Sequence, residues 1–288
     1  EWNQGANYTM IKNDQYYDAD KVKIDGLNFQ VVKDAQSAMV AFEQGTVDYV
    51  KLTGEMVEQY KDAPGFLNTL GSYLWYISPN QKVAGLENLN LRMAIATSFD
   101  KEQIAKFLLK DGSIAANFAV PVKLAVGPDG KDFRETAPTY LNVNKEKAKE
   151  YFEKAKKELG KDKFTYELLF EDTESSKKVA EYLKSEIETN LVGMTITLKQ
   201  QPKKARLQLM RKKTYELGLT RWGPDYADPM TYLDLWITGG ASNYGDWSNA
   251  KYDKLIFDAS KGDLTGKPVE RWEALKEAEK VCLDDAAI

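Results

Sequence analysis

The chain has 288 residues, of which 43% are hydrophobic and 29% are charged, a balance typical of a soluble globular protein with room for two ordinary domains. Its net charge of −4 and pI near 5.3 exclude the basic surface of a nucleic-acid-binding protein, and no apolar run reaches the roughly 18 residues of a membrane span. The sequence contains no histidine and one cysteine, Cys282, which excludes a Ser-His-Asp relay and an internal disulfide and predicts a buried, inert thiol.

The first predicted elements are a strand, a helix and two further strands. Val22–Val32 alternates apolar and polar residues with a period of about two, which predicts a strand. Asp34 is a suitable N-cap for a helix that ends at Gly45, and a short strand is predicted at Asp48–Leu52. A strand–helix–strand unit of this size favours parallel pairing through a right-handed crossover. The aromatic segment Tyr73–Ile77 is predicted to be the next strand.

The polar, turn-rich segment Pro79–Asn90 is predicted to separate two lobes. After it, the spacing of apolar residues predicts a helix over Leu91–Leu109. The segment 112–130 is rich in glycine and proline and is predicted to be a loop. Asn144 is expected to cap a helix over Lys145–Leu159.

From Phe164 onward, strands and helices alternate. The predicted strands are Phe164–Phe170, Met194–Leu198 and Tyr215–Trp222, and the predicted helices are Thr173–Thr189 and Arg206–Lys213. Such alternation is typical of an open, parallel α/β sheet, in which ligands bind beyond the carboxyl ends of the strands. The last strand leads directly into Gly223–Pro229, so this loop is the predicted ligand site.

The motifs of common enzymes are missing from the sequence. No phosphate-binding glycine loop, dinucleotide fingerprint or nucleophile elbow occurs. Carboxylates are plentiful, so an acid–base pair of Asp225 and Asp228 stays an alternative. A calcium loop that adds Asp234 is another, although its spacing fits no EF-hand. We predict neither a metal nor a cofactor, and the basic residues between Lys203 and Lys213 are interpreted as a surface helix.

Aromatic residues lie around the predicted loop, among them Trp222 and Tyr226. A concave site with aromatic walls and one buried carboxylate suits a cationic amine on a partly apolar ligand. The carboxylate of Asp225 would form a charge-assisted hydrogen bond with an ammonium group. The alternative for Asp225 is a turn-capping role, and Asp228, which precedes a proline, is predicted to be a turn residue.

Several stretches of the sequence carry a family resemblance. They are Ile11–Asp18, Lys33–Ala38, Glu43–Tyr49 (Glu-Gln-Gly-Thr-Val-Asp-Tyr), Asn90–Ala96 with Phe99–Glu102, Trp222–Pro229 (Trp-Gly-Pro-Asp-Tyr-Ala-Asp-Pro), Asn243 and Tyr252–Ile256. In this order they resemble the oligopeptide-binding proteins, the family 5 extracellular solute-binding proteins of ABC importers. Arg92, in the stretch Asn90–Ala96, is predicted to form a structural ion pair on the helix surface.

The resemblance implies an α/β, periplasmic-binding-protein-like (type II, Venus-flytrap) two-lobed fold that is incomplete in this chain. Residues 1–85 would be the central part of the sheet lobe, and residues 86–288 the second lobe with the ligand loop. The implied function is a non-enzymatic receptor that captures extracellular oligopeptides and delivers them to the permease subunits of an ABC transporter. It would be a monomer at the extracellular face of the cell membrane or in the periplasm, tethered through a lipid anchor outside this chain.

The resemblance also implies roles for individual loop residues. Asp225 would hold the amino terminus of the peptide, and Trp222 would line a side-chain pocket. Backbone groups of residues 221–224 would pair with the peptide like an added strand. The candidate ligand-binding residues are Asp225, Trp222, Arg221, Gly223, Pro224 and Tyr226. A receptor of the same fold for an oligosaccharide or a metal chelate stays the alternative.

Overall fold

The computed structural model describes residues 1–32 and 34–288, which divide into two compact units, Glu1–Phe66 and Leu67–Ile288. This division lies nearer the N-terminus than the predicted boundary at Pro79–Asn90, because the strand Leu74–Pro79 belongs to the sheet of the second unit. The assignment of residues 1–85 and 86–288 to two lobes concerns the whole protein and stays a prediction. In the described part of the chain, no helix is both long and apolar enough to cross a membrane.

The N-terminal unit contains a three-stranded antiparallel sheet and two helices. Its elements are β1 (Trp2–Asn3), β2 (Asn7–Ile11), a 3₁₀ helix (Ala19–Lys21), β3 (Gly26–Gln30), α1 (Ala35–Glu43) and α2 (Glu55–Tyr60). The rings of Tyr8 and Phe29, paired in the β2–β3 register, stack with their centroids 4.3 Å apart. The side chain of Asp34 accepts a hydrogen bond from the backbone N–H of Ser37 at 2.7 Å. This cap confirms the helix predicted to follow Asp34.

Two predictions for this unit are wrong. The strand predicted at Val22–Val32 is shortened to β3, which pairs antiparallel with β2 and not in parallel with a later strand. Residues 48–52 form no strand. A short segment becomes a strand only where a neighbour completes its hydrogen-bonding ladder, and β3 finds that neighbour in β2. Alternation of residue types alone does not identify the partner.

The second unit is built on a four-stranded mixed sheet. Its strands are β4 (Leu74–Pro79), β5 (Phe164–Glu171), β6 (Met194–Gln201) and β7 (Leu217–Trp222), in the order β4-β7-β5-β6. β5 is parallel to both β6 and β7, whereas β4 pairs antiparallel with β7. The four predicted strands are confirmed to within a few residues at each end, and the open α/β sheet is confirmed with one antiparallel edge strand.

The helices of this unit cover both faces of the sheet. They are α3 (Leu89–Thr97), a π-helix (Gln103–Leu109), α4 (Phe133–Thr136), α5 (Lys145–Leu159), α6 (Glu174–Asn190), α7 (Lys203–Arg211), α8 (Met230–Leu233), a 3₁₀ helix (Asp234–Trp236), α9 (Ala250–Ser260) and α10 (Pro268–Asp284). Asn144 caps α5 by accepting from the N–H of Lys147 at 2.9 Å. Thr173 caps α6 through the N–H of Ser176 at 3.2 Å. These local signals explain why α5 and α6 form where they were predicted.

The single helix predicted over Leu91–Leu109 is interrupted after Thr97. The hydroxyl of Thr97 donates to the carbonyl oxygen of Met93 at 2.7 Å. The hydroxyl of Ser98 donates to the carbonyl oxygen of Ile95 at 2.9 Å. Hydroxyl groups that bond to helix carbonyls compete with the backbone ladder, so the α-helix ends here. The irregular segment predicted at 112–130 is confirmed.

Two arginines that were predicted to lie on helix surfaces are buried. Arg92 is 4% exposed and forms the expected ion pair, with Asp285 at 3.3 Å. Its other acceptors are the backbone carbonyl oxygens of Leu86, Glu87, Asp285 and Ala286. Arg206 is 2% exposed, on a helix that begins three residues before its predicted start. A buried guanidinium needs acceptors for its donors, and for each side chain some of them come from a segment distant in sequence, near Asp285 for Arg92 and at Glu171 for Arg206.

The second unit has two large apolar cores and a small third cluster of Leu169, Met210 and Tyr215. One core packs β5 against α3, α5 and α6, and its fully buried members include Leu91, Phe152, Leu168, Leu183 and Ile187. The other core surrounds α8, α9 and α10, and its buried members include Trp236, Trp247, Tyr252, Leu275 and Cys282. The prediction that Cys282 is buried is confirmed, and this burial raises the pKa of its thiol well above the ordinary value.

Lys101 is expected to make the stability of the fold depend on pH. Its ammonium group donates to the carbonyl oxygen of Leu141 at 2.6 Å, and burial lowers its pKa to about 8. An unfolded lysine has a pKa of about 10.4, so between these two pKa values the unfolded state binds the proton and the folded state does not. The free energy of unfolding therefore rises with pH in this window.

We expect this rise to reach about 2 kcal/mol between about pH 7.5 and about pH 9.5. The measurement is denaturant unfolding of the wild type and of Lys101→Met at both pH values. Subtracting the pH dependence of Lys101→Met removes the contributions of all other groups. The same pH dependence in both proteins would show that the ammonium group is not the cause.

Candidate functional site

The predicted site forms one continuous segment at the carboxyl edge of the parallel strands. Arg221 and Trp222 are the last residues of β7, and Gly223 and Pro224 begin the loop that follows. All four are half-buried, whereas Asp225 and Tyr226 are exposed. The carboxylate that we expected to be buried is thus exposed in this chain, because the loop passes over the surface of the unit.

The sheet opens where β7 approaches this loop. β7 pairs with β4 along its whole length, from Leu217 to Trp222. With β5 it pairs at two positions, Leu168–Leu217 and Leu169–Gly218, and beyond them the strands separate. In the described chain, the edge of β7 from Leu219 to Trp222 therefore has no strand partner on the side of β5. Such an edge carries free N–H and C=O groups that can pair with an extended chain.

Asp225 follows this open edge with its carboxylate unpaired. The backbone N–H of Asp225 donates to the hydroxyl of Thr231 at 3.0 Å, which holds the loop. Among the described residues, none donates a hydrogen bond to the carboxylate or forms an ion pair with it. An exposed carboxylate with no internal partner is available to a cationic ligand group.

Asp228 is fully occupied within the fold. Both of its carboxylate oxygens accept hydrogen bonds from the guanidinium of Arg271 at 2.9 Å, and one also accepts from the N–H of Met230. The turn role predicted for Asp228 is confirmed. Its bidentate pair with Arg271 also connects the loop to α10, a contact that the sequence did not reveal. Because Asp228 is bound in this way, it is a poor partner for Asp225 in acid–base chemistry. In the described part of the chain, no cluster of acidic residues and cysteine is arranged to hold a metal ion.

The surroundings of Asp225 are negatively charged. Partial burial and the nearby charge of Asp225 raise the pKa of Asp234 above its usual range. Asp234 has no ion-pair partner among the described residues, whereas the charge of Asp228 is cancelled by Arg271. The field at the loop thus favours a cation, in agreement with the predicted ammonium group.

Trp222 and Gly223 pack against neighbouring parts of the second unit. Trp222 packs against the core that surrounds α8 to α10, and its indole N–H is buried with no acceptor among the described residues. At the next position, a Cβ on Gly223 would lie 2.4 Å from Cε1 of Tyr73. Glycine is therefore the residue that lets the ring of Tyr73 lie against the start of the loop.

Sequence reasoning missed three side chains beside the site, namely Tyr73, Glu171 and Arg206. Tyr73 and Trp75 place their rings under the guanidinium of Arg221, with the ring centroids 5.7 and 4.9 Å from Cζ. Glu171 ends β5 and is 5% exposed. An acidic residue at the end of an apolar strand is a signal that could have identified Glu171, whereas only the fold shows Arg206.

Two surface depressions of the second unit lie away from the candidate residues. Their volumes are about 340 and 510 Å³. They are lined by residues that include Glu167 and Glu216 in the first, and Tyr182 and Glu186 in the second. Neither depression contains a candidate residue. We assign the site to the strand edge because the open edge of β7 and the unpaired carboxylate of Asp225 are there.

The sequence of the chain matches a family model and several known proteins. The family model for bacterial extracellular solute-binding proteins, family 5 Middle, matches residues 1–244. The chain is similar to the dipeptide-binding protein DppE of Bacillus subtilis (strain 168), with 29% identity over 291 residues that cover 100% of this chain and 52% of the relative. The chain spans about half the length of the curated relatives that it matches.

Two solved structures match the fold closely. A crystal structure of the substrate-binding domain of an oligopeptide ABC transporter from Bacillus anthracis matches with a TM-score of 0.91 and 40% identity, covering 100% of this chain and 56% of that one. Listeria monocytogenes OppA bound to peptide matches with a TM-score of 0.89 and 34% identity, covering 98% and 55%. These matches confirm the predicted fold class, of which this chain forms a part.

Proposed function

The chain belongs to the bacterial extracellular solute-binding proteins of family 5, and from this premise we propose that the whole protein captures extracellular oligopeptides for an ABC importer. The observation that carries the proposal is the open edge of β7, which is followed in the next loop by the unpaired carboxylate of Asp225. A free strand edge recognises the one feature that all peptides share, their backbone. The carboxylate recognises a second common feature, the amino terminus.

The parts of the site are assigned separate tasks. Asp225 binds the ammonium group of the peptide, and Asp234 strengthens the negative field around it. Backbone groups of residues 221–224 pair with the peptide main chain. Trp222 lines a pocket for a peptide side chain, and Tyr226 lies on the exposed side of the loop. Backbone pairing gives affinity with little sequence preference, which suits the uptake of mixed peptides.

The proposal includes the partners and the location of the whole protein. It would act as a monomer at the extracellular face of the membrane or in the periplasm, tethered by a lipid anchor outside this chain. The loaded receptor would deliver its peptide to the permease subunits of the importer. Support comes from the resemblance to receptor components of peptide transporters. The protein would bind without turnover, because Asp228, the partner of Asp225 in the acid–base alternative, is held by Arg271.

Native mass spectrometry of the whole protein, purified from cells without denaturation, tests the proposal. A receptor that binds backbones with little sequence preference should retain a ladder of peptide masses. Denaturation should release these masses for sequencing. A single non-peptide mass would favour the alternative, a receptor for an oligosaccharide or a metal chelate. If no mass is retained and added peptides do not bind, the proposed function is wrong.

A further inference from the structure

The segment that contains α7 carries charge of one sign. Between Glu188 and Glu216 the sequence has seven basic residues and no acid, in a chain whose net charge is −4. Other surface helices mix the two signs. The helix α5, for example, has six lysines, but four glutamates lie among them. In the segment of α7, only acids from other parts of the chain could neutralise the basic side chains.

The inner side of α7 is fixed in the fold. Met210 is fully buried in the cluster with Leu169 and Tyr215. Arg206 is 2% exposed and pairs with the buried Glu171 at 3.3 Å. The helix is therefore held on the sheet by an apolar and an ionic contact, and its buried side chains are not available to a partner.

The outer side of α7 presents four exposed cations, Lys203, Lys204, Arg211 and Lys212, which we call the basic face. Lys204 and Arg211 are seven residues apart and lie on one side of the helix, with Lys212 next to them and Lys203 at the first turn. With the described residues, none of the four side chains forms an ion pair or a hydrogen bond. Their charges therefore face the solvent without a counter-charge.

The basic residues that flank this face are neutralised. Lys199 pairs with Glu167 at 2.9 Å, and Lys213 pairs with Asp246. The four unpaired cations between them extend over nine residues, about 14 Å along a helix. Charges in water act over a screening length of about 8–10 Å at ordinary salt concentrations. Neighbouring cations of the basic face therefore attract the same anionic surface together.

The composition of this face indicates the chemistry of its partner. Among the described residues, no large apolar side chain between Leu198 and Tyr226 is exposed. Interfaces between proteins are depleted in lysine and have an apolar or aromatic centre, which the basic face lacks. A bilayer with anionic headgroups requires no such centre. It attracts several cations at once, and each one near the surface raises binding by about fivefold.

We propose that the basic face of α7 docks the receptor on anionic phospholipid headgroups of the membrane. This inference rests on the proposed location of the whole protein at the membrane. A single acyl chain gives weak and reversible binding, and a basic patch is a second signal that makes the attachment stable. Because the apolar side of α7 is buried in the fold, the helix lies on the headgroups and does not insert.

Co-sedimentation with vesicles tests the inference. The whole protein is produced without its lipid anchor, so that only the folded surface can bind. The vesicles contain phosphatidylcholine alone or an equal mixture with phosphatidylglycerol, at about 0.05 M and about 0.5 M salt. The test variant combines Lys203→Gln, Lys204→Gln, Arg211→Gln and Lys212→Gln.

Two further variants are the controls. The first combines Lys147→Gln, Lys149→Gln, Lys154→Gln and Lys157→Gln, which remove the same number of charges from exposed positions of α5. The second exchanges lysine and arginine within the basic face (Lys203→Arg, Lys204→Arg, Arg211→Lys and Lys212→Arg), which keeps every charge. Thermal unfolding verifies that each variant is folded.

We expect the wild type to bind the mixed vesicles at low salt at least about tenfold more tightly than phosphatidylcholine alone, and to lose this difference at high salt. The test variant should bind the mixed vesicles at least about tenfold more weakly than the wild type. The α5 variant should stay within about threefold of the wild type. The charge-conserving variant should bind like the wild type, because a headgroup layer responds to charge and not to side-chain geometry.

Equal binding of the wild type and the test variant to the mixed vesicles would reject the basic face as the docking surface. An equal loss in the test variant and the α5 variant would assign the effect to net charge and not to α7. If the wild type bound polyglutamate through the basic face but did not bind the mixed vesicles, the partner would be an acidic protein and the inference would be wrong.

Titration of the wild type with an alanine pentapeptide, without vesicles, separates this inference from the proposed function. A protein that binds the pentapeptide but not the mixed vesicles would overturn the docking of α7 and leave the receptor function intact. A protein that binds the mixed vesicles through α7 but retains and binds no peptide would support the docking and overturn the proposed function.

Discussion

Replacing Asp225 by alanine in the whole protein is expected to weaken peptide binding by about 2–5 kcal/mol, roughly 30-fold to several thousand-fold. The variant would leave the ammonium group of the bound peptide without its counter-charge. In the free protein the carboxylate of Asp225 has no partner among the described residues, and the backbone N–H that binds Thr231 is kept. The change should therefore affect the ligand and not the fold. Calorimetric titration with a free-amine peptide measures the loss.

Two controls isolate the charge. Asp225→Asn keeps the size of the side chain and removes its charge, so it should lose most of the same affinity. A peptide acetylated at its amino terminus should bind wild type and variant about equally, since it has no ammonium group to lose. Thermal unfolding of the unliganded proteins should coincide. If the wild type bound acetylated and free peptides equally well, Asp225 would be a turn residue and the amino terminus would lie elsewhere.

The location of the site could be predicted from the sequence, but the partners of its residues could not. Strands and helices alternate from Phe164 up to the loop after Trp222, and loops at strand ends are where open α/β sheets bind ligands. Asp225 and Asp228 lie three residues apart in that loop, and their neighbours in sequence do not show which of the two carboxylates is free to bind a ligand. What separates them is Arg271, which lies 43 residues beyond Asp228. A contact of this range depends on how the helices pack, so no local pattern encodes it.

The same reasoning applies to the fold. α5 and α6 were predicted well because Asn144 and Thr173 act on N–H groups only three residues away. The N-terminal sheet was not predicted well, because the strand that pairs with β3 depends on how the whole unit folds and not on the residues next to β3. Arg206 was interpreted as a surface residue because its neighbours in sequence are basic. Its burial depends on Glu171, 35 residues earlier in the chain.

The second large effect is expected at Glu279, a carboxylate on α10 that is fully buried. One of its oxygens accepts hydrogen bonds from the backbone N–H groups of Ala119 and Val120, both at 2.8 Å. The other pairs with the guanidinium of Arg134, which is itself 10% exposed. Glu279 thus anchors the irregular segment before α4 to the core that surrounds α8 to α10.

Glu279→Ala is expected to lower the free energy of unfolding by about 3–5 kcal/mol. The variant would leave the charge of Arg134 without its counter-charge and the backbone N–H groups of Ala119 and Val120 without an acceptor. Denaturant unfolding of the whole protein measures the change. Glu277→Ala, two residues earlier on the same helix, is the matched control. Glu277 pairs with Lys251 at the surface, where both side chains are exposed, so its loss should cost less than about 1 kcal/mol.

A double variant separates the two causes of this loss. In Arg134→Met with Glu279→Leu, both charges are gone and apolar groups fill the space, so the cost of an unpaired guanidinium disappears. The N–H groups of Ala119 and Val120 still lack an acceptor, at about 1–3 kcal/mol. The double variant should therefore be more stable than Glu279→Ala but less stable than the wild type. If it were no more stable than Glu279→Ala, the N–H groups and not the ion pair would account for the role of Glu279. If Glu279→Ala cost no more than Glu277→Ala, Glu279 would not be the anchor of this segment.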